Sequence, residues 1–109
     1  MPGPTKPSDA LAWVKAAAAD GRYVRSVHFE ERLAQRNITM LDVLNAITKT
    51  TQVVSYPKGK ARNGGTQWRV LGPDTDGNRT IVVGVETFLD HKKRRMMLVT
   101  VFDSDAEEE

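Results

Sequence analysis

The sequence predicts an α+β domain in which two or three helices precede an antiparallel sheet of about four strands. Three observations carry that expectation. The apolar pattern has helical spacing up to about Thr48 and strand spacing from Gln52, so the period switches near Thr51. The strand segments are joined by short connections, which favour antiparallel neighbours, and helices followed by strands favour segregation of the two. A chain of 109 residues, 39% hydrophobic and 28% charged, suits one ordinary globular core.

Taken in order, Met1–Pro7 carries three prolines and a glycine and reads as a flexible lead to a single domain over residues 8–102. Ser8 is placed to cap a helix reaching about Asp20 and stopping at Gly21. Its apolar stripe is Leu11, Val14 and Ala18, with Trp13 and Ala17 beside it. Tyr23–Val27 reads as a short extended lead-in. Phe29–Arg36 forms a second helix with Phe29 and Leu33 on its buried side, broken by Asn37. Thr39-Met-Leu-Asp42 matches a capping box with Ile38 and Val43 as its hydrophobic staple. The helix it opens runs to about Thr48 and buries Met40, Val43, Leu44 and Ile47.

Gln52–Tyr56, Thr66–Leu71, Arg79–Phe88 and Arg94–Phe102 read as the strands. Trp68 and Val70 share one face, as do Ile81, Val83 and Val85. Strict alternation sets Met97, Val99 and Val101 opposite Met96, Leu98, Thr100 and Phe102. The expected core joins Trp68, Ile81, Val83, Val85, Val99 and Val101 to Leu33, Val43, Leu44 and Ile47.

The chain contains no cysteine, which excludes disulfides, thiol nucleophiles and cysteine zinc sites. Two histidines, His28 and His91, leave little for a histidine metal site, and neither a metal nor another cofactor is expected. Apolar stretches are too short for a membrane span and no apolar signal core follows Met1, so a cytoplasmic protein with no membrane partner is expected. The formal net charge of +2 hides an asymmetry: before residue 103 there are 16 basic and 9 acidic residues, or +7, and residues 103–109 form an acidic tail. Basic runs at Lys58, Lys60 and Arg62 and at Lys92, Lys93, Arg94 and Arg95 suit an anionic partner, nucleic acid first.

Two sequences that resemble ligand loops do not qualify. Asp74-Thr-Asp-Gly-Asn78 puts Val85 where a calcium loop needs a glutamate, so it reads as a hairpin turn. Lys58–Gly65 lacks Walker spacing and precedes a strand. His28, Arg32 and Arg36, spaced by four, are the sharper signal: a proton carrier beside two cations on one helix face can serve a phosphate in transit. His91 sits in a charged turn with no apolar neighbour to shape a pocket.

The run Ser26-Val-His28-Phe-Glu-Glu-Arg32-Leu-Ala-Gln-Arg36-Asn-Ile38-Thr-Met-Leu-Asp42-Val43 resembles the signature of domain-of-unknown-function family 4258. Leu98-Val-Thr100-Val-Phe102 resembles that family's closing strand, and the likeness spans about Tyr23–Phe102. The resemblance implies helices with a four-stranded sheet, grouped with the RelE/barnase-like ribonuclease toxins, MqsR-type mRNA interferases among them. Carried over by position, it implies His28, Arg32, Arg36 and Thr100 as active-site residues. Arg69 joins the nucleic-acid-binding candidates from strand alternation alone.

The activity expected on this reading is metal-independent RNA cleavage through attack of a ribose 2′-hydroxyl, with RNA as substrate and a protein antitoxin as a further partner class. His28 would be the base and the arginines would hold the phosphate. Glu31 and Tyr56 are the weak candidates for a second acid. The alternative is a noncatalytic nucleic-acid- or protein-binding module of the same fold. Pocket geometry separates the two, because catalysis needs His28 and the arginines to converge.

Overall fold

The computed structural model describes residues 3–56 and 61–105. Helix α1 spans Pro7–Ala19. The expected cap, Ser8, lies inside it; Lys6 takes the cap position without a side-chain bond, because Pro7 supplies a backbone already set for the first turn. The helix ends with the Asp20 N–H donating to the Ala16 carbonyl, and Gly21 turns the chain at φ 68°. Ala10, Trp13, Val14 and Ala17 form its buried side.

Strand β1, Tyr23–Arg25, is followed by α2, Val27–Arg36, and α3, Met40–Lys49. Helix α2 begins two residues before Phe29, since the Ser26 hydroxyl accepts from the Phe29 N–H at 3.1 Å and fixes the first turn. Asn37 closes it in the left-handed conformation at φ 53°. In α3 the buried set is Asp42, Val43, Ala46 and Ile47, with Leu44 only half-buried. Gly72 explains why Ala46 is buried where Leu44 is not: a Cβ at Gly72 would stand 2.2 Å from the Ala46 carbonyl oxygen, so helix and sheet meet backbone to backbone there.

Strands β2 (Gln52–Ser55), β3 (Thr66–Pro73), β4 (Thr80–Asp90) and β5 (Lys93–Asp103) complete a sheet ordered β1-β5-β4-β3-β2. The expectation of about four antiparallel strands is corrected to five in a mixed sheet. β2 to β5 are antiparallel as expected, but β1 adds to the edge of β5 in parallel, pairing Tyr23 with Met96 and Arg25 with Leu98. Three residues carry too little alternation to announce a strand, and only the free edge of β5 makes them one.

The core lies between one face of the sheet and helices α1 and α3, with Phe29 of α2 joining it. Val53, Trp68, Val70, Ile81, Val83 and Val85 point into it as alternation requires. β5 departs from its expected pattern. Gly84 pairs with Thr100 but Val85 pairs with Leu98, so Val99 is the extra residue of a β-bulge. The bulge shifts the phase: Met96 and Leu98 join Val101 in the core, while Val99, expected there, is only partly buried.

The capping box forms, and it does more than cap. Asp42 Oδ2 accepts from the Thr39 N–H and hydroxyl, both at 3.0 Å, while Oδ1 accepts from the Thr75 N–H at 3.0 Å and hydroxyl at 2.8 Å. Burial alone would raise its pKa. The donors of Thr75 and Thr39 outweigh burial and hold the carboxyl well below the usual carboxylate range. The start of α3 is thereby tied to the β3–β4 turn. In that turn Asp74 accepts from the Asn78 N–H at 3.0 Å and Gly77 takes φ 71°, a hairpin as expected.

Candidate active site

The face of the sheet turned away from α1 and α3 carries the other half of each alternating strand. Its middle row is Arg69, Gly84 and Thr100, directly opposite one another on β3, β4 and β5. On one side lies the row Leu71, Val82 and Phe102, and on the other Gln67, Glu86 and Met97. Gly84 leaves a gap at the centre: a Cβ there would stand 2.8 Å from the Thr100 methyl. A hollow of about 280 Å³ opens over the gap, lined by His28, Tyr56, Gln67, Arg69, Val99 and Thr100 around Gly84.

His28 reaches this hollow because α2 takes over the flank of β5 where β1 stops. The Ser26 N–H donates to the Leu98 carbonyl at 3.1 Å, and the Ser26 hydroxyl donates to the Val99 carbonyl at 3.2 Å. The same serine therefore caps the helix and fastens its first turn to the bulge. Val99, displaced by the bulge, lines the hollow together with Thr100.

At the far end of α2, Arg36 donates to the Val101 carbonyl at 3.4 Å, and its guanidinium lies 5.9 Å from the centre of the Phe102 ring. Arg69 stands 5.1 Å from the same ring and 3.5 Å from the centre of the Tyr56 ring. Rings and cations thus alternate as Tyr56, Arg69, Phe102 and Arg36. Such stacking costs a guanidinium none of its in-plane donors, so the rings set the direction of the forks.

Of the residues expected at the site, His28, Arg69 and Thr100 share the hollow, and Arg36 adjoins it through Phe102. Arg32, one turn from His28 on α2, donates to Gln35 and does not line the hollow. Arg62 is exposed in the segment before β3, and Lys58 and Lys60 lie outside the described residues. His91 and Lys92 form the tight β4–β5 turn, both at positive φ. Lys93 and Arg94 are exposed beyond it; Arg94 lies 5.2 Å from the centre of the Trp13 ring, and Arg95 pairs with Asp90 at 3.2 Å. That basic run is separate from the hollow.

Tyr56, weakly marked in the sequence, and Gln67, unmarked, both line the hollow. The sequence signal for Gln67 was its alternation with Trp68, and for the gap it was a glycine inside a strand. Glu31, the other weak candidate, is exposed and does not line the hollow. Among the described residues no group of three or more His, Cys, Asp or Glu is placed to hold a metal ion, and no helix is long and apolar enough to cross a membrane. The hollow offers one imidazole, one phenol, one hydroxyl and a fixed guanidinium, a set that can move protons beside a bound anion.

Sequence comparison places this site within a known family: the one described as domain of unknown function (DUF4258) matches residues 25–103, from the end of β1 to the end of β5. No curated protein matches the chain.

Proposed function

The chain belongs to the DUF4258 family, and on that premise we propose that it is a metal-independent endoribonuclease of the RelE-like toxin type. The observation that carries the proposal is the convergence of His28, Tyr56, Arg69 and Thr100 on one hollow kept open by Gly84. The positive body of the chain supports an anionic substrate.

In the reaction proposed, the phosphodiester sits in the hollow with its non-bridging oxygens toward Arg69, and Arg36 adds charge from beside Phe102. The His28 imidazole accepts the proton of the 2′-hydroxyl. The 2′-oxygen attacks phosphorus, the bond from phosphorus to the 5′-oxygen breaks, and the Tyr56 hydroxyl donates its proton to the departing oxygen. The products are a 2′,3′-cyclic phosphate and a 5′-hydroxyl, with one proton taken up by His28 and one released by Tyr56. Thr100 orients the phosphate from the strand opposite Gly84. Arg32 serves the approach of the substrate rather than the reacting atoms.

The test is cleavage of a single-stranded RNA by purified protein in the presence of a chelator, with the new ends identified. A 2′,3′-cyclic phosphate, and no cleavage when the 2′-hydroxyl is replaced by hydrogen at the cut, support the proposal. RNA that is bound but not cut under all conditions gives the site to a noncatalytic binding module.

A further inference from the structure

The proposed chemistry leaves one buried acid on the open face unused. Glu86 is 1% exposed and stands between Gln67 and Met97, in the row beside Arg69, Gly84 and Thr100. Two residues along β4 separate it from Gly84, a step of about 6.8 Å. Its carboxylate accepts from the Asn63 N–H at 2.9 Å, the Asn63 side-chain amide at 3.1 Å and the Gly65 N–H at 2.9 Å. Donors of the segment before β3 thus stand in for water around a buried carboxylate, which binds that segment tightly to the sheet. Gly65 allows the approach, since a Cβ there would stand 2.8 Å from the Phe88 Cβ.

What the carboxylate holds is a corner that carries a cation. The Gly64 N–H donates to the Ala61 carbonyl at 3.4 Å and Gly64 takes φ 69°, which makes Ala61–Gly64 a tight turn with Arg62 at its exposed corner. The anchored Asn63 N–H belongs to the planar peptide group that begins at the Arg62 Cα, so fixing one fixes the other. A segment with glycines at 64 and 65 would otherwise sample many conformations, and ordering it in advance spares a ligand that cost. Arg95, one row further along the same face, is already engaged by Asp90 at 3.2 Å. The step from Gly84 to Glu86 is comparable to that between successive phosphates of an extended strand, and a guanidinium fork matches phosphate.

We infer that Glu86 is a positioning residue that holds Arg62 where it takes the phosphate next to the one being cleaved. This rests on the ribonuclease reading and is tested by binding alone. The probes are a 2′-deoxy dinucleotide with one phosphodiester and a 2′-deoxy trinucleotide with two, both uncleavable, at low salt. The trinucleotide should bind the wild type about fivefold more tightly, the scale of one exposed ion pair. In Arg62→Ala that advantage should vanish, apart from the statistical gain of two binding registers. Glu86→Gln should lose it too, with faster amide exchange at Asn63 and Gly65. Adding Arg62→Ala to Glu86→Gln should cost nothing more, because Glu86 acts through Arg62. Asn63→Ala removes one donor at an exposed residue without touching the sheet, and should weaken the advantage while the dinucleotide still binds. An advantage that survives Arg62→Ala, or survives both Glu86→Gln and Asn63→Ala, overturns the assignment. So do losses that add in the double variant, and a wild type that binds both probes equally. A wild type that binds neither removes the ribonuclease reading along with it.

Discussion

Replacing Asp42 by asparagine should destabilise the protein by about 2–3 kcal/mol at neutral pH. Four donors converge on this buried carboxylate, two from Thr39 and two from Thr75. Asparagine keeps one accepting oxygen and turns an amide donor toward two of them. A lost helix cap costs about 1 kcal/mol, and a lost charge-assisted hydrogen bond about 1.5–3 kcal/mol. These overlap at one side chain, so their sum is an upper bound. The folded-state pKa of Asp42 lies below the ordinary carboxylate value of about 3.9. Its stabilisation is therefore complete above about pH 5 and is lost as pH falls below about 4 toward the folded value. The variant has no group to titrate there, so the gap between the two proteins should narrow in acid. Urea unfolding followed by the fluorescence of Trp13 and Trp68, both buried, measures this at pH 7, 5 and 3. The midpoint should drop by roughly 1–2 M at pH 7. Equal midpoints at pH 7, or a gap as wide at pH 3 as at pH 7, would refute the reasoning.

Three further outcomes follow from the site. Gly84→Val places methyl groups where a Cβ already meets the Thr100 methyl at 2.8 Å, and should abolish measurable RNA cleavage while circular dichroism shows the sheet retained. Arg69→Lys keeps the charge but loses both the fork and the stacking on Tyr56; steady-state kinetics should show a higher KM and a kcat lower by about tenfold or more. RNA affinity should fall steeply with salt, and Arg62→Ala or Lys93→Ala should each reduce the slope of log K against log salt by about one in filter-binding titrations.

Local rules carried much of the fold. Thr39 and Asp42 announce their helix because a capping box is contained within four residues, and Asp74–Asn78 announces a turn for the same reason. Features that depend on distant partners stayed hidden. Tyr23–Arg25 becomes a strand only because β5 offers a free edge. The bulge at Val99 arises from the pairing of β4 with β5, and strict alternation therefore placed Val99 in the core and left Met96 and Leu98 out of it. The candidate site divides along the same line. His28 and Arg36 were legible from helical spacing, and Thr100 entered through the family resemblance. Tyr56 and Gln67 join them only when β2 and β3 pair. Glu86 gave no signal beyond its phase in the strand, because the donors that hold it come from Asn63 and Gly65, more than twenty residues earlier.

The central claim is that His28 moves the proton of a 2′-hydroxyl in the hollow over Gly84. Single-turnover cleavage of one RNA by wild type and His28→Ala, with affinity for the uncleavable 2′-deoxy strand measured in parallel, tests it most directly. The account predicts a rate lower by roughly two to four orders of magnitude with affinity changed little, because the imidazole acts on the reacting proton while the guanidiniums hold the phosphate. A His28→Ala protein that cleaves as fast as wild type contradicts it.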